Sequence, residues 1–229
     1  MPSHDSDPPD PPALPDLYAR FDAIYRDSDG SPDRVPWAHR RPCPALLTWL
    51  DRGGTDRLPP DATVVVPGCG LGEDARALAA RGFRVIGFDV SPHAVRLARA
   101  ATPQHAGVRY LEADLFDPPA DLLGSFDLCV EIHTVQALPP DRRSSVLAAL
   151  ARLLRPGGLL LVIARGRPDS VALESVAGPP WELTAAELVA AADRARLAPV
   201  GPVDDFPDDN RPPVHRLRGL FAPAARVSS

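Results

Sequence analysis

The 229-residue sequence has no lysine, and all 25 of its basic residues are arginine. With its abundant alanine and 29 prolines, this bias reflects coding composition rather than function. Its three cysteines, Cys43, Cys69 and Cys129, are odd in number and lack a CxxC spacing, which excludes a disulfide framework and indicates no metal site. No apolar run reaches the length of a membrane span, and the start lacks the basic-then-apolar order of a secretory signal. The expected location is therefore the cytoplasm, with no membrane partner. Positive charge is also in deficit, 25 residues against 30 acidic ones for a net charge of −5, which weighs against adhesion to nucleic acid.

What remains is organised. Residues 1–16 are rich in proline and aspartate and are expected to be a disordered tail. The stretch LYARFDAIYR then places Leu17, Phe21, Ile24 and Tyr25 on one helical face, and ALLTWLDRGG reads as a second helix ended by its glycine pair, so residues 17–55 form a helical cap. From 56 to 222 strand-like runs alternate with helical patterns: TVVVP, FRVIGFD, VRYLEAD, FDLCVEI and LLLVIAR. Most of these runs are solidly apolar, as strands covered on both faces should be. Asp141 is the expected N-cap of the helix leading to Pro156-Gly157-Gly158. After a further helix come APVGPVDDF and VHRLRGLFA, joined by a short turn-forming segment that implies an antiparallel hairpin. The fold class is α/β: a Rossmann-like, doubly wound, mostly parallel seven-stranded sheet with an antiparallel C-terminal hairpin, an N-terminal helical cap and a tail at 223–229.

The stretch VVVPGCGLGED, residues 64–74, carries the chemistry. A glycine-rich turn between strand and helix lets backbone approach a ligand closely. Its spacing is G-x-G-x-G, so Glu73 stands where a dinucleotide fingerprint needs its third glycine. Glu73 and Asp74 at the helix start would repel a pyrophosphate. A Walker loop is excluded because the Lys-Ser/Thr pair is missing. S-adenosylmethionine has no phosphate and carries an ammonium and a sulfonium, so an acidic helix start suits it. Asp89 ends the second strand, where a carboxylate can accept both ribose hydroxyls. Asp114 ends the third and can accept from an adenine amine, with Leu115 and Phe116 beside the ring. Asp89 could equally help to cap the helix after it.

These residues resemble the class I S-adenosylmethionine-dependent methyltransferases, and within them the thiopurine, thiol and tellurite methyltransferase branch. Valine-proline stands directly before the Gly68-Cys69-Gly70 turn, PWAHRRPCPALLTWL is similar to the branch's cap, and GPPWEL (residues 178–183) follows the fifth strand. The resemblance implies that Trp37 flanks the methionine end of the donor, that Gly68, Cys69 and Gly70 hug its backbone, that Asp89 binds the ribose, that Asp114, Leu115 and Phe116 hold the adenine, and that Val90 is among the donor-binding residues. Two positions depart from the pattern. Val66 replaces the acid that most of the superfamily carries two places before the first glycine, and Ile132 replaces an arginine that follows the acid after the fourth strand in thiopurine-type relatives. Glu131 is expected to supply the missing negative charge toward the donor ammonium.

Methyl transfer from a sulfonium is an in-line displacement that asks for positioning in a water-poor pocket. A thiol needs little help to ionise, whereas an alcohol needs a base. His133, just past the fourth strand, is either that base or a helix-start histidine bonded to backbone; His39 is a weaker candidate. Arg165 and Arg167 are expected to be solvated rather than to meet an anion. The run DDFPDDN reads as a charged loop without cation-binding spacing. Amine-directed nucleic-acid methyltransferases resemble one another in a Pro-Pro-aromatic motif after the fourth strand, which VEIHTVQ lacks. The expected function is methylation of a small-molecule acceptor, first a thiol or other soft nucleophile, by a monomer or homodimer. The alternatives are an oxygen or nitrogen acceptor, or a non-catalytic binder of an adenosyl ligand.

Overall fold

Prolines open three of the helices, where a missing N–H costs no hydrogen bond. Pro15 lies in the first turn of α1 (Leu14–Asp27), Pro44 starts α2 (Pro44–Asp51) and Pro92 starts α4 (Pro92–Ala100), which Ser91 caps by accepting from Ala94 N. The computed structural model describes residues 13–38, 40–104, 106–173, 176, 178–209 and 212–224. Between the cap helices and the C-terminus run β1 (Thr63–Pro67), α3 (Glu73–Ala79), β2 (Arg84–Asp89), α4, β3 (Val108–Glu112), β4 (Phe126–Ile132), α5 (Arg143–Ala151), β5 (Leu154–Arg165), α6 (Ala185–Arg194), β6 (Leu197–Pro199), β7 (Asp204–Pro207) and β8 (His215–Pro223).

The sheet order is β3-β2-β1-β4-β5-β8-β6, with β1 to β5 parallel and β8 antiparallel to β5. The chain reverses direction across the sheet between β1 and β4, so the crevice outside their C-terminal ends is the switch point where ligands bind in such sheets. The final hairpin has one more break than expected. The run from 197 to 207 divides into β6 and β7, and Pro202 between them has no N–H to offer a ladder. β5 occupies one edge of β8, and β6 and β7 share the other. Eight strands thus fill seven positions.

Alternate residues of β1 serve opposite faces. Val64 and Val66 join Leu78, Val85 and Leu128, while Val65 joins Phe88, Cys129, Leu147 and Leu160. Burying each such aliphatic side chain contributes about 1.5–3 kcal/mol, which fixes the register that brings the strand ends level.

Several boundaries differ from expectation, β5 among them: α5 ends at Ala151, and β5 begins at Leu154 and takes in Pro156-Gly157-Gly158, the segment expected to stop the helix. Helix α1 starts at Leu14, three residues inside the segment read as a tail, because Pro15 is compatible with a first helical turn. Asp141 does not cap α5; it lies in a 3-10 turn, Pro140–Arg142, and the residue before the helix is Arg142. β8 extends to Pro223. Residues 1–12 and 225–229 lie outside the described residues. Among those described, no helix is long and apolar enough to cross a membrane.

Candidate active site

Gly68, Gly70 and Gly72 follow β1 at φ values of 61°, 51° and 78°, a left-handed run that side chains resist. A Cβ on Gly68 would stand 2.7 Å from Thr134 Oγ1, and one on Gly70 would stand 2.8 Å from Tyr25 Oη. Only glycine lets the turn pass between these two hydroxyls. Cys69 N donates to Phe88 O at 3.0 Å and Gly70 N to Asp89 Oδ2 at 2.9 Å, so the end of β2 holds the turn in shape. Asp89 Oδ1 accepts from Ser91 N at 2.9 Å. Burial pushes the Asp89 carboxyl up, and the amides of Ser91, Gly70 and Val90 oppose that push. A carboxylate has about four lone-pair sites, so Asp89 can steady the turn and still accept from two ligand hydroxyls. Burial and then Asp89 push the Cys69 thiol well above its ordinary range, so it stays protonated beside the turn.

Asp114 lies just beyond β3. Its Oδ1 accepts from Phe116 N at 2.9 Å and from Tyr18 Oη of α1 at 3.0 Å, and its Oδ2 accepts from no described residue. Helix α1 touches the ends of two strands. Tyr18 meets Asp114, and one turn later Asp22 accepts from Ser91 Oγ at 2.6 Å and lies 2.9 Å from His93 Nδ1. Tyr25 Oη accepts from Trp37 Nε1 at 2.8 Å, and the Trp37 ring stands edge-on to Phe21 and Tyr25 with centroids 5.7 Å away.

At the start of α3, Glu73 and Asp74 face the same space. Asp74 Oδ1 accepts from Cys43 N at 2.7 Å, tying the start of α2 to the turn. Burial raises the Asp74 carboxyl to about 6. The far wall comes from β4, β5 and β8. His133 follows β4 at φ 69°, and its Nε2 lies 3.1 Å from Arg216 Nη1. A guanidinium can only donate, so Nε2 accepts, and this bond occupies the lone pair that a general base would use. Arg216 Nε donates to Asp208 Oδ2 at 2.8 Å.

The glycine turn, α1 and the ends of β2, β3 and β4 line one cavity of about 690 Å³, within the range that holds a cofactor and a small substrate. Trp37, Gly68, Cys69, Gly70, Asp89, Val90, Asp114, Leu115, Phe116 and His133 all border it, as do Arg165 and Gly178 to Pro180. Glu131 does not. Its side chain is fully buried, with Oε1 accepting from Val135 N at 2.9 Å and from Thr134 N, so it shapes the turn under His133 instead of facing a donor ammonium. Arg167 is buried rather than solvated; it pairs with Glu187, which also takes Arg143 at 2.9 Å. His39 lies outside the described residues. Among the described residues no cluster suits a metal ion. Tyr18 and Arg216 border the cavity without having been singled out as site residues; Tyr18 sits one residue beyond Leu17 of the apolar stripe, a weak signal, and Arg216 had none beyond its charge.

A doubly wound sheet closed by an antiparallel strand, with a glycine turn and acids at the ends of β2 and β3, defines a Rossmann-like methyltransferase architecture. The chain belongs to the thiopurine S-methyltransferase family, whose profile matches residues 30–218. Among sequence relatives, a 2-methyl-6-phytyl-1,4-hydroquinone methyltransferase of Synechocystis is 37% identical over 52% of this chain and 36% of that protein. A probable thiol methyltransferase 2 of Arabidopsis thaliana is 29% identical over 67% of this chain and 64% of that one. The matches thus span between about a third and just under two thirds of those relatives' lengths. In fold, the chain is similar to a Burkholderia thailandensis 1,6-didemethyltoxoflavin-N1-methyltransferase solved with bound 1,6-didemethyltoxoflavin and S-adenosylhomocysteine, with a TM-score of 0.70, 23% identity, and coverage of 96% and 94% of the two chains.

Proposed function

We propose that the protein transfers a methyl group from S-adenosylmethionine to the sulfur of a small thiol-type acceptor. The observation that carries this reading is the charge pattern at the glycine turn. Glu73, Asp74, Asp89 and Asp114 border one cavity at the turn and at the ends of β2 and β3, an arrangement suited to a cationic nucleoside ligand and hostile to a phosphorylated one. The donor fits the residues present. Asp89 would accept the ribose hydroxyls, Asp114 Oδ2 the adenine amine beside Leu115 and Phe116, and Glu73 with Asp74 would face the ammonium. The bound donor supplies an already activated methyl group.

The rest falls to the chain. Leu17, Phe21 and Trp37 exclude water along the α1 side, which strengthens each charged contact within. The glycine turn and Thr134 hold one wall, and Ile132, Leu138 and the Gly178 to Pro180 segment hold the acceptor against the other. A small fraction of a thiol population is already thiolate near neutral pH, so the acceptor can lose its proton to solvent before it binds. The attacking sulfur then forms a bond to the methyl carbon as the bond from that carbon to the donor sulfur breaks. An alcohol would need a base, and the His133 lone pair is engaged by Arg216, which favours sulfur over oxygen. Neither nucleic acid nor a membrane enters this reading.

Incubation with methyl-labelled S-adenosylmethionine and simple thiols tests the proposal. Labelled thioether in proportion to enzyme is expected; tight donor binding without transfer to any thiol would point to a binding module or another acceptor atom.

A further inference from the structure

Arg165 and Arg216 are direct cross-strand partners in the β5–β8 ladder, and both side chains border the cavity. Cross-strand partners hold their Cβ atoms about 4.5–5.5 Å apart, and like charges so placed destabilise a sheet. Each arginine has a counter-acid. Glu182 Oε1 lies 2.5 Å from Arg165 Nε, and Asp208 takes Arg216 Nε. Neither acid borders the cavity, whereas both arginines do. Arg216 is the better fixed. Its side chain is 12% exposed, and Asp208 at Nε and His133 at Nη1 pin two edges of the planar group. Its Nη2 and both terminal nitrogens of Arg165 donate to no described residue. The four acids that border the cavity belong to the glycine turn and the ends of β2 and β3; of the four arginines that border it, Arg20 lies on α1 and Arg41 just before α2, while Arg165 and Arg216 form the adjacent pair on the β5–β8 wall.

We propose that the acceptor carries, besides its nucleophilic sulfur, an anionic oxygen group of the carboxylate type that Arg216 and Arg165 bind between them. A forked guanidinium held on two edges presents its free N–H groups to such a group with little ordering cost. The inference rests on the thiol-methyltransferase reading for the sulfur only; the arginine pair recognises the anion whatever atom is methylated.

Thioethers separate the two ideas, because they have no thiol to ionise or methylate. Protein saturated with S-adenosylhomocysteine is titrated with 4-(methylthio)benzoate and with its methyl ester, and with 3-(methylthio)propionate and its methyl ester. The acid of at least one pair is expected to bind about tenfold more tightly than its ester, the scale of a charge-assisted contact. Arg216→Gln should reduce that preference to about twofold, Arg165→Gln should reduce it partly, and Arg216→Lys should retain part of it. S-adenosylhomocysteine affinity in each variant reports that the donor side is intact. No preference for the acid in either pair of the unaltered protein, or a preference that Arg216→Gln leaves untouched, overturns the proposal. Labelled methyl transfer to 4-mercaptobenzoate then addresses the other reading. Preference for the acid without methylation leaves the anion site standing and removes the thiol acceptor, and methylation without preference does the reverse.

Discussion

Trp37 Nε1 donates to Tyr25 Oη, and the same Oη stands where a side chain on Gly70 would collide. The loop after α1, helix α1 and the glycine turn are therefore one stacked unit. Trp37 itself is 37% exposed and borders the cavity, so its ring stands at the rim rather than in the core. Through Tyr18, Asp22 and Tyr25, α1 touches the ends of β2 and β3 and the turn together.

Donor binding should therefore order the cap. S-adenosylhomocysteine is expected to slow hydrogen exchange at backbone amides of residues 27–38 and to change tryptophan fluorescence. Trp37→Ala should weaken donor binding about tenfold with little change in melting temperature, since an exposed ring contributes little to folding. Unchanged exchange with saturating ligand would reject this ordering, and a large loss of stability without ligand would assign Trp37 to packing.

Asp89 holds the glycine turn and, in the proposed site, would also take the donor ribose. Asp89→Asn keeps one acceptor for a backbone amide and loses the charge, so donor affinity should fall about 10- to 100-fold, or roughly 1.5–3 kcal/mol. Calorimetry with S-adenosylhomocysteine measures the loss. A variant that binds within twofold of the unaltered protein would remove Asp89 from the donor site.

What was legible in the sequence had a local mark. The ends of β1, β2 and β3 announce themselves by a glycine turn or an acid closing an apolar run, and Asp89, Asp114 and the turn residues were found that way. Tyr18 and Arg216 were not. Their partners Asp114 and His133 lie 96 and 83 residues away, and only the folded sheet joins them. Glu131 failed for another reason. β4 is apolar on both faces, with Val130 on one and Cys129 on the other, so its sequence has no alternation to say which way an acid near its end will point. The break between β6 and β7 did carry a local mark, Gly201-Pro202, which the reading of APVGPVDDF as one strand passed over.

Glu131 should then matter for stability and not for the donor. Burial raises its carboxyl from 4.5 to about 8, so the folded state prefers it protonated. A raised acid stabilises fully below its unfolded value, and the contribution fades as pH climbs through the folded one. Glu131→Gln removes this titration. The melting temperature of the variant minus that of the unaltered protein should rise steadily from pH 5 to 8, whatever its constant offset, while S-adenosylhomocysteine affinity stays within about twofold. A flat difference would mean that the carboxyl does not titrate in that window.

Asp74 offers a reading of the donor ammonium that does not depend on turnover. It borders the cavity at the start of α3, accepts from Cys43 N, and is raised to about 6, chiefly by burial. A cation placed beside it favours the ionised carboxylate, so binding must expel a proton wherever the free protein holds one. That window lies around and below pH 6. S-adenosylhomocysteine keeps the ammonium and lacks the sulfonium, which isolates the first charge from the second. Calorimetric titrations at pH 5.5 in buffers of different ionisation enthalpy should show net proton release on binding, and affinity should increase as pH rises from 5 to 7. At pH 8 the release should vanish because Asp74 is already ionised. Asp74→Asn should abolish the release at pH 5.5 and weaken binding most at high pH, where the lost charge would have been fully present. Release that persists in Asp74→Asn would transfer the role to another acid at the turn, Glu73 first among them, and proton uptake on binding would contradict an acidic ammonium site altogether.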